Sequence, residues 1–498
     1  MLFWDLASVS AAVGETRARK RKAELLGDAL RKLAPEEVEA GVAFLSGELR
    51  QRRTGVGWAA LRDVPSPAAE PTLTVGEVDA AFERLAALSG PGSQVARREA
   101  VAELFGRATA AEQAFLRGLV SGDVRQGALA GVMADAVAAA TGIRRGVVDR
   151  ATMLCGDARV VAEVALREGE RGLAAFRLEV GRPVGPMLAA PAASLEEAME
   201  RVGEAAVDWK LDGARIQVHR DSGDVAVYSR SLDDLTARLP EIAAAALGLP
   251  AQRFVLDGEA IAMGADGRPE PFQVTSSRIA SGAPGITPVL FDVLHLDGED
   301  LLDAPLAQRA DALAAAVPEA LRVPRVIADD PAVAQAHFDA ALAAGHEGVV
   351  VKALDAPYAA GRRGAGWLKV KPRHTLDLVV LAAEWGHGRR RGFLSNLHLG
   401  ARDPRGDGFV MLGKTFKGMT DAMLAWQTER LQELAVEQHG ITVEVRPELV
   451  VEIAFDGLQT SSRYPGGVAL RFARVLRYRE DKTAAEADDL ATVLALRG

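Results

Sequence analysis

A single cysteine, Cys155, stands in a chain of 498 residues. No intrachain disulfide can form from it, and a structural zinc site built on several thiolates is excluded; the lone thiol reads as core filler. No run of about 18 uncharged apolar residues occurs, so a membrane-spanning helix is not expected. The start, Met1-Leu2-Phe3-Trp4-Asp5, lacks a basic leader and a long apolar stretch before the charges at Arg17, Arg19, Lys20, Arg21 and Lys22. A cytoplasmic protein is the expectation. Nor is there an excess of positive charge: the formal net charge of −9 argues against a generally basic nucleic-acid coat, while leaving room for local basic surfaces, which are what a phosphate backbone senses. No internal repeat is visible, and the alanine-rich tracts keep their apolar periodicity.

With 49% hydrophobic and 26% charged residues the composition is that of a soluble globular protein, and the length predicts about three domains. To roughly Glu179 the chain is Ala- and Leu-rich with three- and four-residue apolar spacing, as at Leu129, Val132, Met133 and Val137, which predicts helices. Ser121-Gly122-Asp123 and Thr141-Gly142 punctuate them. Gly181-Arg182-Pro183-Val184-Gly185-Pro186 cannot continue a helix and reads as a linker. Beyond it come β-branched alternations, Ile216 and Val218, then Val225 and Val227, with Asp221-Ser222-Gly223-Asp224 as the hairpin turn. Helical stretches at 239–247 and 311–316 make this a mixed domain to about Arg373. A β-rich segment follows, with runs at 378–381, 409–412 and 442–445 and a helix near 422–434, a pattern of a small Greek-key barrel.

The chemistry starts at Asp208-Trp209-Lys210-Leu211-Asp212-Gly213-Ala214-Arg215, where one lysine sits between acidic and glycine neighbours as two strand-like runs meet. A lysine amine is a nucleophile only when neutral, and with an unperturbed pKa of about 10.4 little of it is neutral near pH 7. Desolvation and neighbouring cations lower that pKa, and the chain supplies cations at Lys352, Lys369 and Lys371. Taken alone, Lys-x-Asp-Gly also reads as a β-turn with Lys210 in water. Four further segments follow in order: Leu256-Asp257-Gly258-Glu259, Val289-Leu290-Phe291-Asp292-Val293, Glu347-Gly348-Val349-Val350-Val351-Lys352 and Trp367-Leu368-Lys369-Val370-Lys371-Pro372. The series ends with Leu470-Arg471-Phe472-Ala473-Arg474, then Arg477, Arg479 and Lys482. In order and spacing these resemble the six motifs of the ATP-dependent DNA ligases, within the covalent nucleotidyltransferase superfamily.

The resemblance implies a multidomain chain: an all-α DNA-binding domain over 1–180, an α+β adenylation domain over 188–373 and a C-terminal OB-fold β-barrel over 374–498. It implies that Lys210 attacks the α-phosphate of ATP to form lysyl-AMP, with cations and a metal more important than a strong base. Lys369 and Lys371, two apart on a strand, would share one face and reach one phosphate; Pro357 to His374 holds Arg362, Arg363, Lys369, Lys371 and Arg373 without an acid. By the same resemblance Arg215 and Arg230 contact the ribose and the nick 5′-phosphate region, and Glu259 holds the ribose hydroxyls. Phe291 stacks on adenine. Asp208, where the family usually has glutamate, accepts from the adenine amino group and disfavours guanine. Glu347 is the metal-associated carboxylate, with Glu259 beside it, and Mg²⁺ is the metal implied. His346 reads as incidental, and Asp257 either helps to place the metal or caps a turn. Arg471, Arg474 and Lys482 match the terminal motif that holds the β- and γ-phosphates, with Ala473 where the family usually has proline.

Arg389-Arg390-Arg391 reads as a DNA-backbone contact or as a solvated loop. The run Arg17 to Lys22 and Val124-Arg125-Gln126-Gly127 resemble the family's helical domain, which grips the minor groove and backbone without reading sequence. The expected function is sealing of 3′-hydroxyl/5′-phosphate nicks in double-stranded DNA by a monomer whose domains encircle the duplex, with no membrane association and the recruiting partner unspecified. Three rivals make different demands. An NAD-dependent ligase normally carries a four-cysteine zinc module. An RNA ligase or capping-type guanylyltransferase gives no reason for a long helical domain ahead of Lys210. A non-catalytic DNA-binding protein predicts erosion of the motifs.

Overall fold

The computed structural model of the protein describes residues 1–496 other than 52, 53, 125, 128, 129, 360–362, 373 and 407, and gives no side-chain detail for 58, 59 and 363–365. Arg125, Leu129, Arg362, Arg373 and the side chain of Arg363 therefore lie outside the described residues. The chain divides into two compact units. The first holds Met1–Ala192, Glu196–Ala334 and Val350–Leu368; the second holds Ala193–Leu195, Gln335–Val349 and Lys369–Gly498.

In the first unit, helices run from Phe3–Glu15 to Ala158–Leu173, as the apolar periodicity predicts. Ala110–Ser121 shows why. Thr109 accepts from the Glu112 backbone N–H, Glu112 reaches back to the Thr109 N–H, and Phe115, Leu116 and Leu119 face the core. Such a cap contributes about 1 kcal/mol and each buried apolar side chain roughly 1.5–3 kcal/mol. The core they build runs from Phe3 to Leu173, and partly buried Cys155 packs against it.

Two sheets follow. Strands β1 (Leu188–Pro191) and β2 (Ala205–Trp209) belong to one, and β3 (Ala214–Asp221), β4 (Asp224–Ser229), β5 (Arg253–Ala262), β6 (Ile286–Leu296) and β7 (Glu299–Asp300) form the other in the order β4-β3-β5-β6-β7. The expected turn joins β3 and β4, with Ser222 at φ +58°. The first sheet is completed by β8 (Arg325–Ala328), β9 (Val349–Ala353) and β10 (Arg363–Val370) in the order β1-β10-β9-β2-β8. On β3, Ile216 and Val218 enter an apolar core. Its alternate residues are not left in water as a half-buried strand would leave them: Gln217 and His219 are 2% and 1% exposed. The linker covers them. Val184 donates to and accepts from the Gln217 amide, Gly181 N–H donates to His219 Nδ1, and Tyr228 donates to the Gly181 carbonyl. Met153 and Leu154 from the helical part share a core cluster with Val184, Leu211 and Phe291.

The second unit is β-rich. A long central strand, β11 (His374–Trp385), pairs with β12 (Leu394–Arg402) and β15 (Thr442–Val445) through its later residues and with β16 (Val450–Phe455) through its earlier ones. β13 (Phe409–Thr415) extends β12, β14 (Ala435–His439) extends β15 and β19 (Arg474–Tyr478) extends β16, while β17 (Gly457–Thr460) and β18 (Val468–Arg471) form a separate ribbon. Among the described residues these pairings do not close into a barrel. The helix Asp421–Glu433 lies where the periodicity predicts it.

One buried ion pair braces the sheet-bearing half of the first unit. Arg309 and Asp292 are both fully buried and joined by two hydrogen bonds of 2.7 and 3.1 Å; Arg309 also donates to the carbonyls of Ala304 and Ala356. Removing one partner strands a buried charge, which costs about 3–5 kcal/mol. R309M should therefore lower the unfolding midpoint of this unit clearly, and R309M/D292L should lower it less than R309M alone, as read by thermal unfolding followed at near-UV wavelengths.

Candidate active site

Lys210 lies one residue beyond β2, where its Nζ is 3.4 Å from the Leu211 carbonyl. The chain turns back into β3 at Gly213, and a Cβ there would come within 2.4 Å of the Ala260 carbonyl and 2.7 Å of Glu259 Cγ. The motif's glycine is thus required by the approach of β5. That approach sets Glu259 directly across from Arg215 in the β3–β5 register. Burial pushes the Glu259 carboxyl up to about 7, with Arg215 and Lys210 pulling it down and Asp257 and Asp212 pushing it up.

Asp257 does not cap a turn. It is fully buried inside β5 and grips Arg215 through both oxygens, at 2.6 and 2.5 Å. Burial alone would lower the Arg215 pKa, but Asp257 raises it well above its usual value, so the guanidinium stays charged. Its central carbon sits 4.6 Å from the Phe291 ring centroid and 5.8 Å from that of Trp367. A β-bulge delivers Phe291 to this place: the β5–β6 register passes from Asp257 opposite Asp292 to Gly258 opposite Leu290, leaving Phe291 without an opposite number. Bulges of this kind re-aim a side chain.

Asp208, expected to read adenine, is engaged by two cations. Only 2% exposed, it holds Arg325 through both oxygens and Lys352 at 2.6 Å. Burial would raise its carboxyl pKa, but the two cations outweigh burial and hold it below the usual range. Lys352, lowered by burial, lies 4.6 and 4.1 Å from the ring centroids of Phe291 and Trp367. Arg325 also donates to the Phe291 carbonyl at 2.8 Å. The cation expected to tune Lys210 thus neutralises its neighbour's carboxylate. Arg325 carried no motif in the sequence, and neither did Tyr358, which donates to Asp257 at 2.6 Å. Arg230 is exposed just after β4.

The remaining predicted residues lie in the second unit. Gly348, at φ +132°, meets the Val370 carbonyl so closely that a Cβ would stand 2.3 Å from it, and this sets Glu347 within 2.9 Å of Lys371. Lys369 lies in β10, but the strand ends at Val370, so Lys371 stands beyond it and strand alternation does not fix a shared face. Lys371 also lies 3.6 Å from Asp456, which accepts from Arg474 at 3.2 Å. Lys482 and Arg479 share Asp377, at 2.6 and 2.8 Å. Arg474, Arg479 and Lys482 therefore have counter-ions within the same unit. Ala473 is 7% exposed and its carbonyl accepts from the Thr415 hydroxyl at 2.5 Å, which secures the turn where the family usually has proline. Arg390 turns inward to the carbonyls of Ser395 and Phe416, leaving Arg389 and Arg391 exposed. In the helical part, Arg19 and Lys22 are tied to Asp135 and to the Gln126 carbonyl.

Among the described residues, the three donor side chains close enough to share an ion are the exposed Glu437, His439 and Glu444, remote in sequence from the motifs. No helix of the described residues is long and apolar enough to cross a membrane.

Residues 186–371 match the family profile described as ATP dependent DNA ligase domain, 390–482 match the ATP dependent DNA ligase C terminal region and 59–138 the DNA ligase N terminus. A probable DNA ligase of Nocardioides sp. is 58% identical over 506 residues, covering 100% of this chain and 99% of the relative. One from Anaeromyxobacter sp. is 58% identical over 505 residues, covering 99% and 97%. The solved structure of Pmar-Lig_PreS3 shares the fold with a TM-score of 0.63 at 18% identity, over 95% of this chain and 99% of that one. Three matched regions in order and relatives this similar along their whole length establish that the chain belongs to the ATP-dependent DNA ligase family.

Proposed function

We propose that the chain seals 3′-hydroxyl/5′-phosphate nicks in duplex DNA with Lys210 as the carrier of AMP. Enzymes of this family form phosphodiester bonds with ATP through a lysyl-AMP. The observation that carries the assignment to these residues is the setting of Lys210, one residue past β2, beside Glu259 and Arg215, which face each other across β3 and β5. The amine attacks the α-phosphorus, the bond to the bridging oxygen breaks and pyrophosphate leaves. AMP then passes to the nick 5′-phosphate, and the 3′-hydroxyl displaces it. Fixed cations serve this chemistry better than a strong base, because the charge to be stabilised lies on phosphate oxygens.

In this reading Arg215 and Arg230 meet the ribose and the nick phosphate, Glu259 accepts from the ribose hydroxyls, and Phe291 offers its ring to adenine. Adenine is then selected by a backbone carbonyl more than by Asp208, whose oxygens are engaged. Glu347 and Glu259 offer the hard oxygen donors that suit Mg²⁺, and Glu347 would exchange Lys371 for it. When bound, the ion neutralises charge on the phosphates. Lys369 and Lys371 serve the same phosphates, and Arg474 and Lys482 hold the leaving pyrophosphate. We read 1–180 as the DNA-binding part, 188–373 as the adenylation part and 374–498 as an OB-type barrel, the change of partners along β11 favouring that reading. A cytoplasmic monomer that encircles nicked DNA completes the reading.

K210R should take no label from α-labelled ATP, because guanidinium offers no free amine at any accessible pH; acid-labile, ATP-derived label on the variant would refute the assignment. A second expectation concerns pH. Glu259, pushed up to about 7, is largely neutral at pH 6 and largely ionised at pH 8. An ionised carboxylate is the stronger acceptor, so ATP affinity should rise through this interval. In E259Q that rise should be reduced to what phosphate ionisation alone produces, and superposable titration curves for parent and variant would exclude the role. Alanine at Arg474 or Lys482 should slow single-turnover lysyl-AMP formation by about tenfold or more while sealing of pre-adenylated nicks changes much less. Equal losses on both substrates would assign these cations to DNA binding or to the fold.

A further inference from the structure

We propose that Tyr358 is a positioning residue for Arg215, holding through its hydroxyl the guanidinium that meets the nucleotide. This rests on the role given above to Arg215. Tyr358 is 1% exposed and lies between β9 and β10, where the motifs assign nothing. Its hydroxyl donates to Asp257 Oδ2 at 2.6 Å and accepts the Met187 N–H at 3.0 Å. The Met187 carbonyl accepts from Arg215 Nη2 at 3.3 Å, and Arg215 closes the circuit on both oxygens of Asp257. Four groups from β3, β5, the segment entering β1 and the segment after β9 thus form one closed hydrogen-bonded ring.

The ring explains how a long, flexible side chain is held in one place. Two bonds to Asp257 fix the guanidinium only as well as Asp257 itself is fixed, and a carboxylate can rotate about its own axis. The tyrosine hydroxyl supplies a further bond on Oδ2, and its aromatic ring is wedged edge-on against Trp367 at 5.9 Å with Arg309 5.9 Å away on its face. Burial and Asp257 push the phenol well above its usual range, so it remains a donor at working pH. Phenylalanine would keep the packing and remove only the hydroxyl.

Binding of α,β-methylene-ATP, which cannot release pyrophosphate, provides the test, measured by calorimetry on the full chain for the parent, Y358F, R215M and Y358F/R215M. If Tyr358 acts through Arg215, Y358F weakens binding by about tenfold in the parent and by less than about twofold in the R215M background, the non-additivity of residues that work as one unit. Replacing Tyr358 with 4-aminophenylalanine, which keeps a donor to Asp257 and does not depend on Y358F folding, should bind within about twofold of the parent. The same loss in both Arg215 backgrounds, no loss in either, or failure of the amino variant to retain affinity would overturn the proposal. Failure of the parent chain to take label from ATP on Lys210 would instead overturn the assigned reaction, and that assay is separate.

Discussion

The buried carboxylate of Asp208 is the constraint on which the catalytic half depends. It lies at the end of β2, two residues before Lys210, and draws Arg325 from β8 and Lys352 from β9 onto itself. A charge this deep is tolerable only when paired and hydrogen-bonded, so the three strands are held in register by electrostatics as well as by their backbone ladder. Arg325 extends the hold to β6 through the Phe291 carbonyl. The end of β2, beside Lys210, and the backbone of Phe291 are therefore tied to one group.

Around that anchor, close backbone approach does the rest. Gly213 lets β5 come near enough to put Glu259 opposite Arg215, and the bulge in β6 turns Phe291 toward the same guanidinium. Asp257 at the back of the site holds Arg215 charged and in place. The result is a guanidinium at Arg215 whose counter-ion is wholly buried within the protein.

The second unit follows the same logic with looser pairs. Asp456 and Asp377 neutralise Arg474, Lys371, Arg479 and Lys482, and all of these pairs retain some exposure. An exposed pair is worth about 0–1 kcal/mol and exchanges partners at small cost; Arg474 and Asp456, 37% and 29% exposed, come nearest to that, while Arg479 and Asp377, 15% and 10% exposed, are largely buried. Buried pairs such as Arg309–Asp292 cannot be exchanged in this way.

Much of this was legible in the residues alone. The helical first part, the β3–β4 turn and the helix near residue 422 follow from local periodicity and turn chemistry, which need no knowledge of partners, and the motif series through Lys210, Glu259, Glu347 and Lys482 was carried by its resemblance to the family. What the sequence did not disclose depends on contacts between distant segments. Asp208 read as a base-recognising carboxylate because nothing local shows that Arg325, more than a hundred positions later, meets it. Asp257 kept two readings because nothing local shows that it lies buried against Arg215 and Tyr358. The burial of Gln217 and His219 is likewise not legible locally, because alternation cannot tell water from a linker laid across the sheet. The sequence by itself determined the element types, the motif order and the family; only the tertiary structure decided which charges face one another, because a counter-ion is selected by distance in space and leaves no periodicity along the chain.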